Sequence, residues 1–294
     1  MSESAPNFLD IQEPVLCNYS TSKCTIQQLP YEHTSSFKKG SKYGPTAIMY
    51  NSKYVEYFDL ELKQETYRKC GIACTPPMDF SKVKDKEAMN LIFNETSKLL
   101  NDNKFVVSLG AEHTVTYGLF KAFQRKYNDI GILQLDAHSD LRKEYEGNPW
   151  SHASVMYQIN KLNPSIFQVG IRAQCVEEHQ LINSSTNIHT WYAHKLKDND
   201  EWMDDIINKL PRNLYITIDT DVFDPSICPS VGTPEPGGLK WYSTLKFLRK
   251  VFSHSSVKGF DIVELNPTDN EDTTAYHMAQ LCYKLIGYKY STYP

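Results

Sequence analysis

The sequence predicts an α/β protein, a three-layer α/β/α arrangement around a central, mostly parallel eight-stranded sheet. Two observations predict it. Short apolar runs of strand length alternate with longer segments of helical period, which implies parallel crossovers and a sheet covered on both faces. Polar clusters stand where two of those runs end, and open α/β sheets bind ligands outside the carboxyl ends of their strands. The clusters are Asp136-Ala137-His138-Ser139-Asp140 and Asp219-Thr220-Asp221.

Residues 1 to about 20 read as irregular. The first strand is expected at 24–29 and the second at 54–58. A helical period over 84–100 leads to the apolar strand 104–109, and a second over 115–127 leads to 129–135. Helix 153–162 precedes strand 166–169, and helix 176–183 precedes strand 187–191. Helix 200–210 is followed by Leu214-Tyr215-Ile216-Thr217-Ile218, helix 240–251 by strand 257–262, and helix 274–288 closes the series. No Gly/Ser linker, internal repeat or low-complexity run divides the chain, so 1–294 is expected to be one domain.

The composition narrows the function classes. With 294 residues and 40% apolar content, the chain can bury a large core. A formal net charge of -4 and a pI near 6.1 argue against nucleic-acid or anionic-membrane binding. No window is long and apolar enough to span a bilayer. The start Met1-Ser2-Glu3-Ser4-Ala5-Pro6 lacks a basic, apolar leader. The seven cysteines are scattered, and the spacing of Cys70 and Cys74 matches no common zinc or redox pattern. Reduced thiols in a cytoplasmic protein are expected.

Carboxylates crowded at the edge of an apolar core repel one another and lose solvation. A pair of divalent cations removes both problems, which points to a two-metal hydrolytic site. Asp136, His138 and Asp140 follow one another at steps of two, so an extended backbone would send all three to one side. Asp219 and Asp221 would converge in the same way. His113, after the strand Phe105-Val106-Val107-Ser108-Leu109 and the turn at Gly110, is a sixth candidate. Two imidazoles and four carboxylates suit Mn²⁺ or Ni²⁺ better than a thiolate zinc site would.

These segments resemble the ureohydrolase family of arginases, agmatinases and related guanidino-group hydrolases. Ser108-Leu109-Gly110-Ala111-Glu112-His113-Thr114 resembles its Gly-Gly-Asp-His-Ser segment, and 136–140 its Asp-Ala-His-X-Asp signature. Thr217-Ile218-Asp219-Thr220-Asp221, with Gly232-Thr233-Pro234-Glu235-Pro236-Gly237-Gly238 beyond it, resembles the third signature. Asp261-Ile262-Val263-Glu264-Leu265-Asn266-Pro267 resembles the last.

The resemblance implies the arginase-like fold and two Mn²⁺ per subunit, with Ni²⁺ as the alternative. By similarity, His113 and Asp140 would bind one metal, His138 and Asp221 the other, and Asp136 and Asp219 both. Asp140 would also relay a proton to the leaving amine. Glu264 would hold the guanidinium, and His152, with an ordinary imidazole pKa, would shuttle protons or orient substrate at the mouth. Three departures stand out. Glu112 replaces an aspartate and is expected to support the metal ligands. Thr220 replaces an apolar residue. Cys228 is expected to be an oxidation-sensitive thiol near the metals.

The stretch Asp140-Leu141-Arg142-Lys143-Glu144-Tyr145-Glu146-Gly147 and the run Val169-Gly170-Ile171-Arg172 resemble the agmatinase branch rather than arginase. Agmatine, cleaved to putrescine and urea, is the expected substrate, with guanidinobutyrate, guanidinopropionate, guanidine and arginine as alternatives. Arg142 would either meet a substrate carboxylate or pair with Glu144 or Glu146. A metal-binding pseudoenzyme and a zinc deacetylase are the rival classes; the intact ligand set weighs against the first, and missing tandem histidines against the second. The resemblance also implies a homo-oligomer, trimer or hexamer, while the charge balance leads us to expect no nucleic-acid or membrane partner.

Overall fold

Near-continuous apolar runs can be buried on both sides, and the computed structural model, which describes residues 7–196, 201–269 and 271–291, uses them that way. The strands are β1 (Cys24–Leu29), β2 (Phe58–Asp59), β3 (Gln64–Glu65), β4 (Ile72–Cys74), β5 (Phe105–Gly110), β6 (Ile130–Leu135), β7 (Ile166–Ile171), β8 (Ile188–Tyr192), β9 (Asn213–Asp219) and β10 (Ser256–Val263). The helices are α1 (Pro14–Cys17), α2 (Gly44–Ser52), α3 (Thr66–Cys70), α4 (Asp85–Asn101), α5 (Val115–Lys126), α6 (Val155–Asn160), α7 (Val176–Ser184), α8 (Glu201–Ile207), α9 (Trp241–His254) and α10 (Thr273–Tyr290).

The main sheet has eight strands in the order β4-β1-β5-β10-β9-β6-β7-β8, and every pairing within it is parallel. Strand alternation sorts its side chains into two cores. Val107, Leu109, Leu133, Leu135, Ile216 and Ile218 pack with α2, α8, α9 and α10. Val106, Ile130, Ile132, Ile166 and Tyr215 pack with α4, α5 and α6 on the other face. This is the expected three-layer arrangement.

The expected strand at 54–58 is a misreading. Residues 53–57 form a turn after α2, and only Phe58 enters a strand, the two-residue β2 that pairs with β3 outside the main sheet. The eighth strand is β4, whose three residues beside β1 are too short to stand out in sequence. The start of the helix expected at 200–210, Asp200, lies outside the described residues; α8 is described from Glu201.

The site depends on which strands stand side by side. Strands β5, β10, β9 and β6 are consecutive at the centre of the sheet. The chain crosses from β5 to β6 on one face, runs outward through β7 and β8, and returns to fill the gap with β9 and β10. The carboxyl ends of these four strands meet where the direction of winding reverses, the position at which doubly wound sheets bind ligands.

Candidate active site

His113 comes from the end of β5. Gly110 is needed there because a Cβ would meet Val115 Cγ2 at 2.7 Å and Val263 Cγ1 at 2.9 Å, wedging β5 away from β10. The backbone then turns into α5, and the His113 ring lies buried. Its Nε2 is 2.8 Å from Thr217 Oγ1, which donates to Asp261 Oδ1 at 2.6 Å. Asp261 is fixed in turn by Tyr215 OH at 2.6 Å and Thr116 Oγ1 at 3.1 Å. This buried chain across β9 and β10 fixes the ring and leaves Nδ1 aimed into the space at the strand ends.

Asp136 to Asp140 come from the end of β6, but their convergence is not simple strand alternation. Asp140 takes a left-handed φ of 52°, which a non-glycine residue adopts only when its surroundings hold it. The Asp140 carbonyl accepts the Met156 N–H at 2.9 Å. Asp136 is braced by Gln134, whose Nε2 donates to Asp136 Oδ2 at 2.7 Å, and its Oδ1 accepts the His138 N–H at 2.6 Å. Asp219 closes β9, whereas Asp221 sits in the 3-10 turn Thr220–Val222 that follows. The turn sends them to different neighbours.

All six side chains expected as ligands are brought together. His113 Nδ1 lies 3.0 Å from Asp136 Oδ2, 3.1 Å from Asp140 Oδ2 and 3.4 Å from Asp219 Oδ2. His138 Nδ1 lies 2.9 Å from Asp221 Oδ2 and 3.7 Å from Asp136 Oδ1. Donor atoms of His113, Asp136 and Asp140 form one group within 4.8 Å, and those of Asp136, His138 and Asp221 a second that shares Asp136.

The electrostatics follow from burying so many like charges. Burial, then Asp221, pushes Asp136 up; burial, then Asp136, pushes Asp140 up to about 7; Asp219 is pushed far up by burial, Asp221 and Asp136. Against burial, Asp221 lifts His138 to about 11, and Asp136, Asp140 and Asp219 lift His113 well above its usual range. Also against burial, His138 draws Asp221 down to about 2. Like charges buried this closely call for neutralisation, which bound cations would supply. The His113 Nδ1 atom tests whether cations fit. It is buried and makes no hydrogen bond, although three carboxylate oxygens surround it. A ring nitrogen and carboxylates gathered around one space without aligned hydrogen bonds suit a metal ion, and the N/O donor set suits a borderline divalent cation. The cluster is able to bind metal.

Glu264 stands at the end of β10 with a left-handed φ of 62°. Its Oε1 accepts the His113 N–H at 2.7 Å, while Oε2 faces Gly232, where a Cβ would come within 3.9 Å. His152 starts the 3-10 turn before α6, half-buried, and its ring contacts Thr34 and Ser36 rather than the carboxylates. Burial, then the charges on His138 and His113, hold its imidazole down at about 4, not at the ordinary value expected from sequence.

Glu112 also differs from expectation. Its carboxylate is bonded to residues 33–35 and to Thr114, not to any cluster side chain. Cys228 is packed in the core, and burial pushes its thiol up to about 12, which does not suit the oxidation-sensitive thiol expected from sequence. The Arg142 guanidinium lies 5.5 Å over the Tyr145 ring and, among the described residues, pairs with neither Glu144 nor Glu146. Sequence reasoning missed Gln134, Thr217, Asp261 and Thr34. The signal for the first three was a polar residue inside an apolar strand, since such a residue stays buried only if it is bonded.

Residues 22–287 match the arginase family. The chain is 35% identical over 284 residues to the N(1)-aminopropylagmatine ureohydrolase of Synechocystis sp., covering 95% of this chain and 92% of that one. It is 34% identical over 261 residues to the agmatinase of Halalkalibacterium halodurans, covering 85% and 86%. The crystal structure of the agmatine ureohydrolase of Thermoplasma volcanium is similar with a TM-score of 0.85 and 26% identity, covering 98% of this chain and 95% of that one.

Proposed function

The chain belongs to the arginase family, a hydrolase by that membership, and from this premise we propose that it releases urea from agmatine, leaving putrescine, at the His/Asp cluster. One observation carries the reading: two His/Asp groups share Asp136 beside Glu264, whose Oε2 faces Gly232 and accepts no hydrogen bond among the described residues.

In this proposal His113 and Asp140 hold one divalent cation, His138 and Asp221 the other, and Asp136 and Asp219 both, with Mn²⁺ as the first choice and Ni²⁺ as the second. Bound there, the pair supplies Lewis acidity and an acidified water as nucleophile near neutral pH. Glu264 Oε2 accepts an N–H of the planar guanidinium, and its charge complements the substrate. Because Oε1 is fixed by the His113 amide, the carboxylate cannot swing away. Asp140 accepts a proton from the attacking water and passes it to the leaving amine as the tetrahedral carbon collapses. His152, neutral at physiological pH, stands at the mouth as a proton acceptor.

A basic tail suits the rim. Glu235 Oε1 lies 3.9 Å from His138 Nε2, and its carboxylate accepts no hydrogen bond among the described residues, so it is open to an amine. The same feature favours N(1)-aminopropylagmatine as the second reading, since relatives of that name are as similar as the agmatinases. Putrescine as product would make this an enzyme of polyamine formation. No helix among the described residues is long and apolar enough to cross a membrane, and all seven cysteines are free. A cytoplasmic setting, one domain over 1–294 and a trimeric or hexameric assembly belong to the same proposal. The test is urea release from agmatine, N(1)-aminopropylagmatine, arginine, guanidinobutyrate, guanidinopropionate and guanidine, with Mn²⁺ and with Ni²⁺. Agmatine should be preferred; no urea from any substrate would overturn the reading.

A further inference from the structure

We propose that Glu112 is a positioning residue that decides which ring nitrogen of His152 carries the proton, acting through Thr34. This rests on the reading of His152 as a proton acceptor at the mouth. Glu112 is fully buried, and its Oε1 accepts the backbone N–H groups of His33 at 2.6 Å, Ser35 at 2.7 Å and Thr34 between them. Consecutive amides converging on one oxygen form an anion nest, so the carboxylate acts as an acceptor. Its Oε2 accepts the Thr34 hydroxyl at 2.9 Å and, at a longer 3.4 Å, that of Thr114.

A threonine hydroxyl has one hydrogen to give. With that hydrogen committed to Glu112, Thr34 Oγ1 can only accept. It accepts the His152 backbone N–H at 3.1 Å, and it lies 3.2 Å from His152 Nδ1. Nδ1 must therefore carry the ring hydrogen, and Nε2 is left bare. The Ser36 hydroxyl lies 3.5 Å from Nε2 and can donate to it. The loop cannot turn to relax the arrangement. Glu32 holds its far end through the N–H of Ser41 at 3.0 Å, and Asn266 Nδ2 reaches Lys38 O at 3.4 Å. Thr34 and Ser36 on the His152 side are thus joined to Lys38 beside the Glu264 segment.

The consequence is a histidine that presents a lone pair at Nε2, able to take a proton or a substrate N–H before it can give one. Histidine ¹⁵N spectroscopy of the full chain loaded with diamagnetic Zn²⁺ tests it, with His152→Gln used to assign the signal. The wild type should show protonated Nδ1 and bare Nε2. In Glu112→Gln the new amide donates to Thr34, which frees the threonine hydrogen for Nδ1, so the tautomer should invert. Thr34→Val, which leaves the buried carboxylate intact, should mix the tautomers, and Thr34→Ser should restore the wild-type one. With Mn²⁺ and agmatine, Thr34→Val should lower kcat by ~10–100-fold, within the range of general acid–base effects, with bound metal and KM little changed. In a His152→Ala background it should cost nothing further. A wild-type ring protonated at Nε2, an unchanged tautomer in Glu112→Gln, or losses that multiply in the double variant would overturn the proposal. If no substrate releases urea, the functional reading fails while the spectra still decide this one.

Discussion

Asp136 stands between two imidazoles, with Oδ2 3.0 Å from His113 and Oδ1 3.7 Å from His138. Among the described residues, no other side chain belongs to both His/Asp groups. Replacing it with alanine should remove the second bound cation and abolish urea release, as elemental analysis and a colorimetric assay would show. Retained turnover would mean that Asp136 does not bridge. Glu264 answers a different question, because its contact with the cluster is the His113 amide rather than a shared cation space. Glu264→Gln keeps the shape and an acceptor for that amide but loses the charge. It should leave metal content intact and lower kcat/KM by ~10–100-fold, the ~1.5–3 kcal/mol of a hydrogen bond to a charged group. At this scale the sequence was legible wherever a residue type had no cheap alternative. Six ionisable side chains at strand ends needed a shared solution, and they are found together. The orientation of Glu112 was not legible, because its partners at 33–35 lie in a loop with no periodic pattern, some 80 residues earlier in the chain. The same applies to His152, whose lowered pKa comes from burial and neighbours that only the fold supplies.

Strands β6, β7 and β8 carry a buried amide ladder behind the His/Asp cluster. Gln168 Nε2 donates to Gln134 Oε1 at 2.6 Å and to Ser139 O at 2.8 Å, while Thr190 Oγ1 donates to Gln168 Oε1 at 2.9 Å. Gln134 Nε2 donates to both Asp136 and the His138 carbonyl, so the ladder fixes the segment 136–139 to the sheet. Side chains that orient metal ligands matter nearly as much as the ligands. Gln134→Leu, close in volume, should raise the metal dissociation constant by ~10–100-fold, read by competition with a chromophoric chelator, with far-ultraviolet circular dichroism unchanged. Unaltered affinity would reduce the ladder to packing. Element type was legible where a pattern ran long enough. The helix expected at 84–100 is α4 at Asp85–Asn101, and that at 274–288 is α10 at Thr273–Tyr290. It failed at 54–58, where aromatic residues suggested a strand but the chain makes the turn after α2, and at β4, where pairing with β1 rather than composition makes three residues a strand. The 3-10 turn at Thr220–Val222 shows a subtler limit: two aspartates at a step of two were expected to point together, yet Asp219 faces His113 and Asp221 faces His138.

The strand order joins these scales. The proposed ligands follow β5, β6 and β9, and Glu264 follows β10, all neighbours at the centre of the sheet with a core on each face. Each strand is apolar for its own reasons, but the carboxyl ends bring Asp136, Asp140, Asp219 and Asp221 into one buried volume beside Glu264. Repulsion among them acts on the middle of the molecule, where it opposes the packing of β9 between β10 and β6. Cations that bind the folded chain therefore stabilise the whole fold. At about a thousand times their dissociation constant, they add ~4 kcal/mol by mass action. For a chain of this size that corresponds to roughly 5–15 °C in Tm. Scanning calorimetry of the Mn²⁺-loaded protein, then after chelation and after Mn²⁺ is restored, should show a fall and a recovery of that order. Asp136→Ala should start lower than the loaded wild type and respond less to the chelator, because one cation space has already gone. A melting temperature indifferent to chelation in the wild type would show that protons alone neutralise the cluster, and the two-metal assignment would fail with it.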